Sequence, residues 1–192
     1  MSNERVGRMS CAPLGAILLM TTLSSCAPRS NSWTEEVELS GGETIQVSRH
    51  EEYRSNTELS GQTNVWIERS DVSIRDSRTG TTPPTLKTTE FLLRLDFDSE
   101  KRQWYAIGFV EDCDRARREG LGSRPYYEYN VINGTWSRQP VSEQRVGEAS
   151  NLLISKKLAE ESSEVRLDAK KRGDKGVGLP NYLKSVLDKV PC

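Results

Sequence analysis

The sequence predicts a mostly β chain, an antiparallel sheet folded as a sandwich or a curled meander of hairpins, with a C-terminal helix. Three observations carry this expectation. Apolar residues alternate with polar ones through 37–47 and again through 91–110, the period of a strand with one buried face. Turn residues separate these runs, most clearly Asn133-Gly134, which suits a type I′ hairpin because both residues tolerate positive φ. The spacing changes to that of a helix only near the end, at Tyr182, Leu183, Val186, Leu187 and Val190.

The first segment lies outside that fold. Arg5 and Arg8 precede an apolar run from Leu14 to Met20 that continues to Leu23, the layout of a secretory signal. The run is shorter than the roughly 20 residues a bilayer span requires. It ends in Leu23-Ser24-Ser25-Cys26. A branched apolar residue, two small residues and then cysteine resemble the lipobox of bacterial lipoproteins. The resemblance implies diacylglycerol on the Cys26 thiol, cleavage between Ser25 and Cys26, and a further acyl chain such as palmitate on the new amino terminus. Each buried methylene contributes about 0.8 kcal/mol, so two or three chains would hold the protein at a membrane. Ala27 stands where inner-membrane retention would favour aspartate, which implies the outer membrane, facing the periplasm. The alternative is ordinary cleavage after Ala27, with Ser25 and Ala27 as the small pair. The expected organisation is therefore a signal over 1–25, a lipidated cysteine and tether over 26–32, and one β-rich domain over 33–192 with a helical C-terminal segment.

The length that remains suits one domain. A formal net charge of −1 gives no electrostatic footprint for nucleic acid, and none is expected as a partner. Hydrophobic residues make up 34% of the chain against 29% charged, which leaves little spare core material and gives the Trp and Tyr side chains a large share of the burial. Cys11 leaves with the signal and Cys26 would carry lipid, so Cys113 and Cys192 form the remaining pair. An oxidising compartment favours a disulfide between them, contributing roughly 2–4 kcal/mol; two free thiols are the alternative.

Taken in order, residues 28–32 are polar and aperiodic and read as the tether, so the domain begins at Trp33. Val37 and Leu39, then Ile45 and Val47, flank Ser40-Gly41-Gly42-Glu43 as one hairpin. Glu58-Leu59-Ser60-Gly61 echoes Glu38-Leu39-Ser40-Gly41, with Val65 and Ile67 following as Ile45 and Val47 do. So short a match reads as coincidence rather than an internal repeat. Val72 and Ile74 alternate before Pro83-Pro84, which bars a central ladder position. The strongest pair places Phe91, Leu93, Leu95 and Phe97 on one face, turns at Asp98-Ser99-Glu100-Lys101, and returns through Trp104, Ala106, Gly108 and Val110. Leu92 on the opposite face predicts a strand covered on both sides, in the middle of the sheet. Residues 112–123 read as a polar connection, and Tyr126–Ile132 with 135–138 as the last hairpin. Leu152-Leu153-Ile154 is open between strand and helix. Residues 156–175 read as loop with an exposed turn of helix, and 181–190 as a helix packed on the sheet, bringing Cys192 near Cys113.

Three constellations could carry chemistry. His50, the only histidine, is placed at a strand end beside Glu51 and Glu52, where an acid/base or metal role is conceivable but no nucleophile can be placed near it. Asp96, Asp98 and Glu100, and likewise Glu111, Asp112 and Asp114, offer oxygen atoms for calcium, yet lack the spacing of a dedicated loop and are explained by turn chemistry. Tyr127, Tyr129 and Trp136, with Arg115 and Arg118 just before them, have the composition of a binding surface. Strand alternation alone also accounts for the aromatics. No catalytic residue, metal or cofactor is assigned.

With Trp33-Thr34-Glu35-Glu36-Val37, Leu95-Asp96-Phe97-Asp98, Asn133-Gly134-Thr135-Trp136 followed by Pro140, and Asn151-Leu152-Leu153 in view, the chain resembles a group of uncharacterised proteobacterial lipoproteins. The resemblance covers most of the mature chain and implies an exported β-rich body, with no reaction or ligand attached. The expected function is a membrane-anchored, periplasm-facing binding or scaffolding module with an envelope protein as partner. A small envelope hydrolase or glycan-binding enzyme using His50 or the acidic turn is the alternative.

Overall fold

The structure is a computed structural model and describes residues 29–57, 59–61, 63–76, 82–122, 124–145, 147–152 and 162–176. Among them, β1 (Arg29–Glu38), β2 (Thr44–Thr57), β3 (Thr63–Asp76) and β4 (Leu86–Thr88) form an antiparallel meander. A fifth, short strand near the C-terminal end lies parallel to β1 on the far edge. The second sheet is a meander of β5 (Phe91–Asp98), β6 (Gln103–Phe109), β7 (Tyr126–Ile132) and β8 (Thr135–Pro140). That late strand, β9 (Glu164–Val165), leads into helix α2 (Leu167–Gly176), and helix α1 (Cys113–Arg118) joins β6 to β7. Val37, Ile45, Val47, Val72 and Ile74 of the first sheet share one core with Leu92, Leu95, Trp104, Ala106, Tyr127 and Tyr129 of the second. The chain is thus mostly β, with two antiparallel sheets packed face to face and a short helix towards the C terminus.

Local turn chemistry sets the hairpins. Gly42 (φ 81°) and Asn133-Gly134 (φ 50° and 77°) occupy the left-handed region that their turns require. Pro83-Pro84 stand outside the ladder, ahead of β4, which is an edge strand. Thr89 and Glu90 form the corner at which the chain leaves the first sheet and enters the second.

Several expectations change. Residues 29–32 are strand rather than tether, because the long β2 offers ladder partners as far as Tyr53 opposite Arg29. In β3 the buried series runs Ile67, then Ser70, Val72 and Ile74; a bulge opposite Glu52/Tyr53 admits one extra residue and shifts the phase. In β5 a second bulge at Leu93 puts Leu92, Leu95 and Phe97 on the core face and Leu93 on the other. β5 is also an edge strand; the centre is β6, whose five inner residues are all buried. What covers β5 on its second side is the segment 141–152. Asn151 donates to the Leu95 carbonyl (2.7 Å) and accepts from its N–H (2.9 Å), continuing the ladder with a side chain. Arg145 lies 3.6 Å above the Tyr105 ring and pairs with Asp98 and Glu128.

Helix α1, read as connection, starts at Asp112, whose carboxylate accepts from the N–H groups of Asp114 (2.9 Å) and Arg115 (3.1 Å). α2 occupies part of the stretch read as loop, while the helix expected over 181–190 lies outside the described residues. The Leu167 N–H donates to Glu36 (2.8 Å). Lys170 Nζ reaches Glu35 (2.7 Å) and the carbonyls of Glu36 (2.8 Å) and Asn151 (2.6 Å). Glu35 in turn pairs with Arg49 (3.0 Å), which holds Glu51 (2.5 Å), so one end of the first sheet's inner face is a buried, charge-balanced network rather than apolar core.

Candidate binding groove

The corner between the two sheets places a carboxylate where none would be expected. The Glu90 side chain is 1% exposed. It accepts hydrogen bonds from Thr88 Oγ1 on β4, Tyr129 Oη on β7 and Arg115 on α1, and Arg138 on β8 approaches to 3.3 Å. Two cations neutralise a charge that burial alone would penalise heavily. Gly108 of β6 makes room: a Cβ there would lie 2.9 Å from Glu90 Cβ and 3.3 Å from the Tyr129 ring. Burial pushes the Tyr129 hydroxyl well above the ordinary phenol range, and the Glu90 carboxylate that accepts its proton adds to the shift.

A second brace sits beside the first. Tyr127 donates to Glu119 (2.5 Å), Arg115 Nε donates to the same carboxylate (2.9 Å), and Arg138 stacks 4.2 Å from the Tyr127 ring. The Tyr127 hydrogen bond, followed by the hydrogen bond and then the charge of Arg115, holds the Glu119 carboxyl below its usual range.

On the solvent side, the edge strands β4 and β8 leave a groove of about 600 Å³ lined by Pro84, Lys87, Glu90, Tyr129, Trp136 and Arg138. Trp136 Nε1 donates to the Pro84 carbonyl (2.7 Å), which fixes the indole as one wall. Lys87 and Arg138 are exposed and place positive charge at the rim. A flat apolar ring beside fixed cations can hold planar or anionic groups.

Of the five residues expected to form a binding surface, Tyr127, Tyr129, Trp136 and Arg115 are brought together here. Arg118 is not: its side chain is 69% exposed and pairs with Asp112 at 3.9 Å. The tyrosine hydroxyls and Arg115 are spent on Glu90 and Glu119, so only Tyr129 and Trp136 of that set line the groove. Glu90, Glu119 and Arg138 were missed. A lone carboxylate before a strand carries no signal of burial, whereas Arg138 opposite Tyr129 could have been found from the Asn133-Gly134 register.

The other constellations fall elsewhere. His50 is in the middle of β2, not at its end, on the outer face of the first sheet. Its Nδ1 is 2.7 Å from Ser32 Oγ and its Nε2 is 3.2 Å from Glu52, with Arg69 and Asp71 continuing the same polar ladder. Asp96 is fully buried, bonded to Arg94 and to the Ser40 N–H and hydroxyl. Asp98 accepts from the Lys101 N–H and from Arg145, the first of these doing most to lower its pKa. Asp112 is the cap of α1. Among the described residues no cluster of three or more His, Cys, Asp or Glu side chains is placed to hold a metal ion. Cys113, the first residue of α1, is disulfide-bonded. Ser25, Cys26 and Cys192 lie outside the described residues. Comparison with family models, curated proteins and solved structures gives no match to this chain.

Proposed function

We propose that the protein is an outer-membrane lipoprotein of the kind it resembles, cut between Ser25 and Cys26, acylated on Cys26 and facing the periplasm. Its sandwich serves as a binding or scaffolding module for another envelope component. The observation that carries this reading is the Leu23-Ser24-Ser25-Cys26 sequence directly after an apolar signal. The groove between β4 and β8 is the binding face, with Trp136 and Arg138 as its contacts. Cys113 pairs with Cys192, tying the C-terminal segment to α1.

Intact mass of the protein extracted from membranes, before and after reduction, tests the anchor and the bridge together. A chain beginning at Cys26 with acyl mass that gains two hydrogens on reduction is expected. An unmodified chain in the soluble fraction overturns the anchored reading. Crosslinking in native membranes tests the scaffold: a stoichiometric partner, lost on Trp136→Ala, is expected, and repeated absence of one removes it.

One observation favours the enzymatic alternative, the Ser32–His50–Glu52 line, whose order matches a nucleophile, a base and an orienting carboxylate. Ser32→Ala and His50→Ala separate the two readings. A hydrolase loses its envelope phenotype in both, whereas a binding module keeps it.

A further inference from the structure

The first sheet has one apolar end that its core does not use. Leu59, at the turn of the β2–β3 hairpin, is fully exposed, and Val65 and Trp66 on β3 are 48% and 42% exposed. Among the described residues Ile132, beside the Asn133-Gly134 turn, is the one other large apolar side chain so exposed, whereas Leu39, at the corresponding place in the β1–β2 hairpin, is 4% exposed. The difference is position. Leu39 folds back over the sandwich, whereas β2 and β3 run beyond the last β1 partner, Arg29 opposite Tyr53, and continue as a two-stranded ribbon.

The overhang points in the direction from which the chain enters β1. Four residues, Arg54 to Thr57, extend past Tyr53 before the turn, about 14 Å at the strand rise of ~3.4 Å per residue. Cys26 stands three residues before Arg29, so at ~3.6 Å per residue its reach from β1 is at most about 11 Å. A lipid on Cys26 therefore cannot hold the sheet further from the bilayer than the hairpin itself extends.

From these lengths we propose that the β2–β3 hairpin tip is a second membrane contact, seated in the headgroup region of the leaflet that holds the lipid on Cys26. The proposal rests on the lipoprotein reading above and deepens it by fixing how the domain is oriented. Trp66, opposite Arg54 where the ribbon leaves the sheet, has the amphipathic ring that favours the outer edge of the membrane interface, and Leu59 adds apolar area at the tip. Arg54, 65% exposed and paired with Glu68 at 2.6 Å, flanks them on the same ribbon at the level where lipid phosphates lie.

The test uses the full-length protein purified from membranes, with acylation of Cys26 verified by mass, reconstituted into phosphatidylethanolamine/phosphatidylglycerol vesicles with and without acyl chains brominated near the headgroup. Bromine is expected to quench part of the tryptophan emission. That quenched part disappears in Trp66→Phe, persists in Trp136→Phe and shrinks in Leu59→Asp. Acylated protein whose quenching is unchanged by Trp66→Phe overturns the hairpin contact and leaves the anchor standing. Protein without acyl mass overturns the anchor, and the orientation argument falls with it. If the tip crosslinks to a protein in native membranes while bromine leaves Trp66 untouched, the surface belongs to that partner and the proposal is wrong.

Discussion

Replacing Glu90 by alanine should destabilise the fold far more than an ordinary substitution before a strand. The side chain is 1% exposed and is shared by Thr88, Tyr129, Arg115 and Arg138, which come from β4, β7, α1 and β8. Removing one member of a buried ion pair leaves the others uncompensated, at a cost of roughly 3–5 kcal/mol. For a domain of this size each kcal/mol lowers Tm by about 2–4 °C, so the expected loss is about 6–20 °C. Urea unfolding followed by tryptophan emission measures it, with an unchanged m-value required for the comparison. Two controls separate the brace from mere packing. Arg115→Ala removes a partner that is 25% exposed and should cost less, about 1–2 kcal/mol. Combined with Glu90→Ala it should show a coupling of about 0.5–3 kcal/mol. Gly108→Ala attacks the site from below: its new methyl group would sit 2.9 Å from Glu90 Cβ, an atom that cannot swing away, and about 1–3 kcal/mol of overpacking is expected. A Glu90→Ala protein within about 1 kcal/mol of wild type would refute the reasoning, since a carboxylate so easily lost cannot be joining the two sheets.

Titration offers two further tests. Asp98 (through the Lys101 N–H and Arg145), Glu119 (through Tyr127 and Arg115) and Glu128 have pKa values below their ordinary ones; for Glu128, burial pushes upward but hydrogen bonds from Ser142 and Asn130 and the charge of Arg145 prevail. A depressed folded pKa stabilises above the unfolded value, so stability should hold down to about pH 4 and fall as pH drops further; Asp98→Asn should flatten that fall. Burial raises Tyr105 to about 12, against the opposing pull of Arg94, so its contribution is present below about pH 10 and lost as pH rises towards the folded value. Tyr105→Phe should weaken that alkaline loss in pH-dependent urea melts. Finally, Lys170→Met removes the cation from buried Glu35 and cuts two contacts that hold α2 on β1 and a third to the Asn151 carbonyl. A cost of about 3 kcal/mol is expected, with hydrogen exchange accelerating first at residues 164–172. Unchanged exchange there would mean that α2 is held by something other than Lys170.

The features legible in the sequence were those decided by neighbours in the chain. Gly42 and Asn133-Gly134 need only their own backbone angles, so the hairpins they close could be read directly, and Pro83-Pro84 could be read as standing outside any central ladder. The bulges could not. Leu93 and the residue inserted opposite Glu52/Tyr53 break alternation because of how two strands align, which no single strand records. Helix α1 had visible ends in Asp112 and Gly120 but buries only Ala116, so it showed no apolar stripe. The candidate surface was half legible for the same reason. Strand alternation put Tyr127 and Tyr129 on one face, with Trp136 in the same hairpin, while Glu90, the group that organises two of their neighbours, is defined by partners drawn from four elements.

Lean composition and buried charge are two sides of one solution. With 34% hydrophobic residues the chain has little spare core material, and part of what it buries is charged. It places Glu35, Arg49 and Lys170 at one end of the sandwich, Glu90 at the corner, and Arg94, Asp96 and Arg145 under the 141–152 segment. Each group sits where charges from separate elements meet, so such a core specifies its pairing more sharply than apolar packing would, at the expense of tolerance to substitution. Against that background the apolar residues left outside carry more meaning. The same chain that buries these carboxylates leaves Leu59, Val65 and Trp66 in the open on the β2–β3 hairpin, at the end of the sheet where the chain enters β1. On the lipoprotein reading proposed above, this is the end of the sheet that a bilayer would meet, and quenching of Trp66 by brominated lipid decides whether it does.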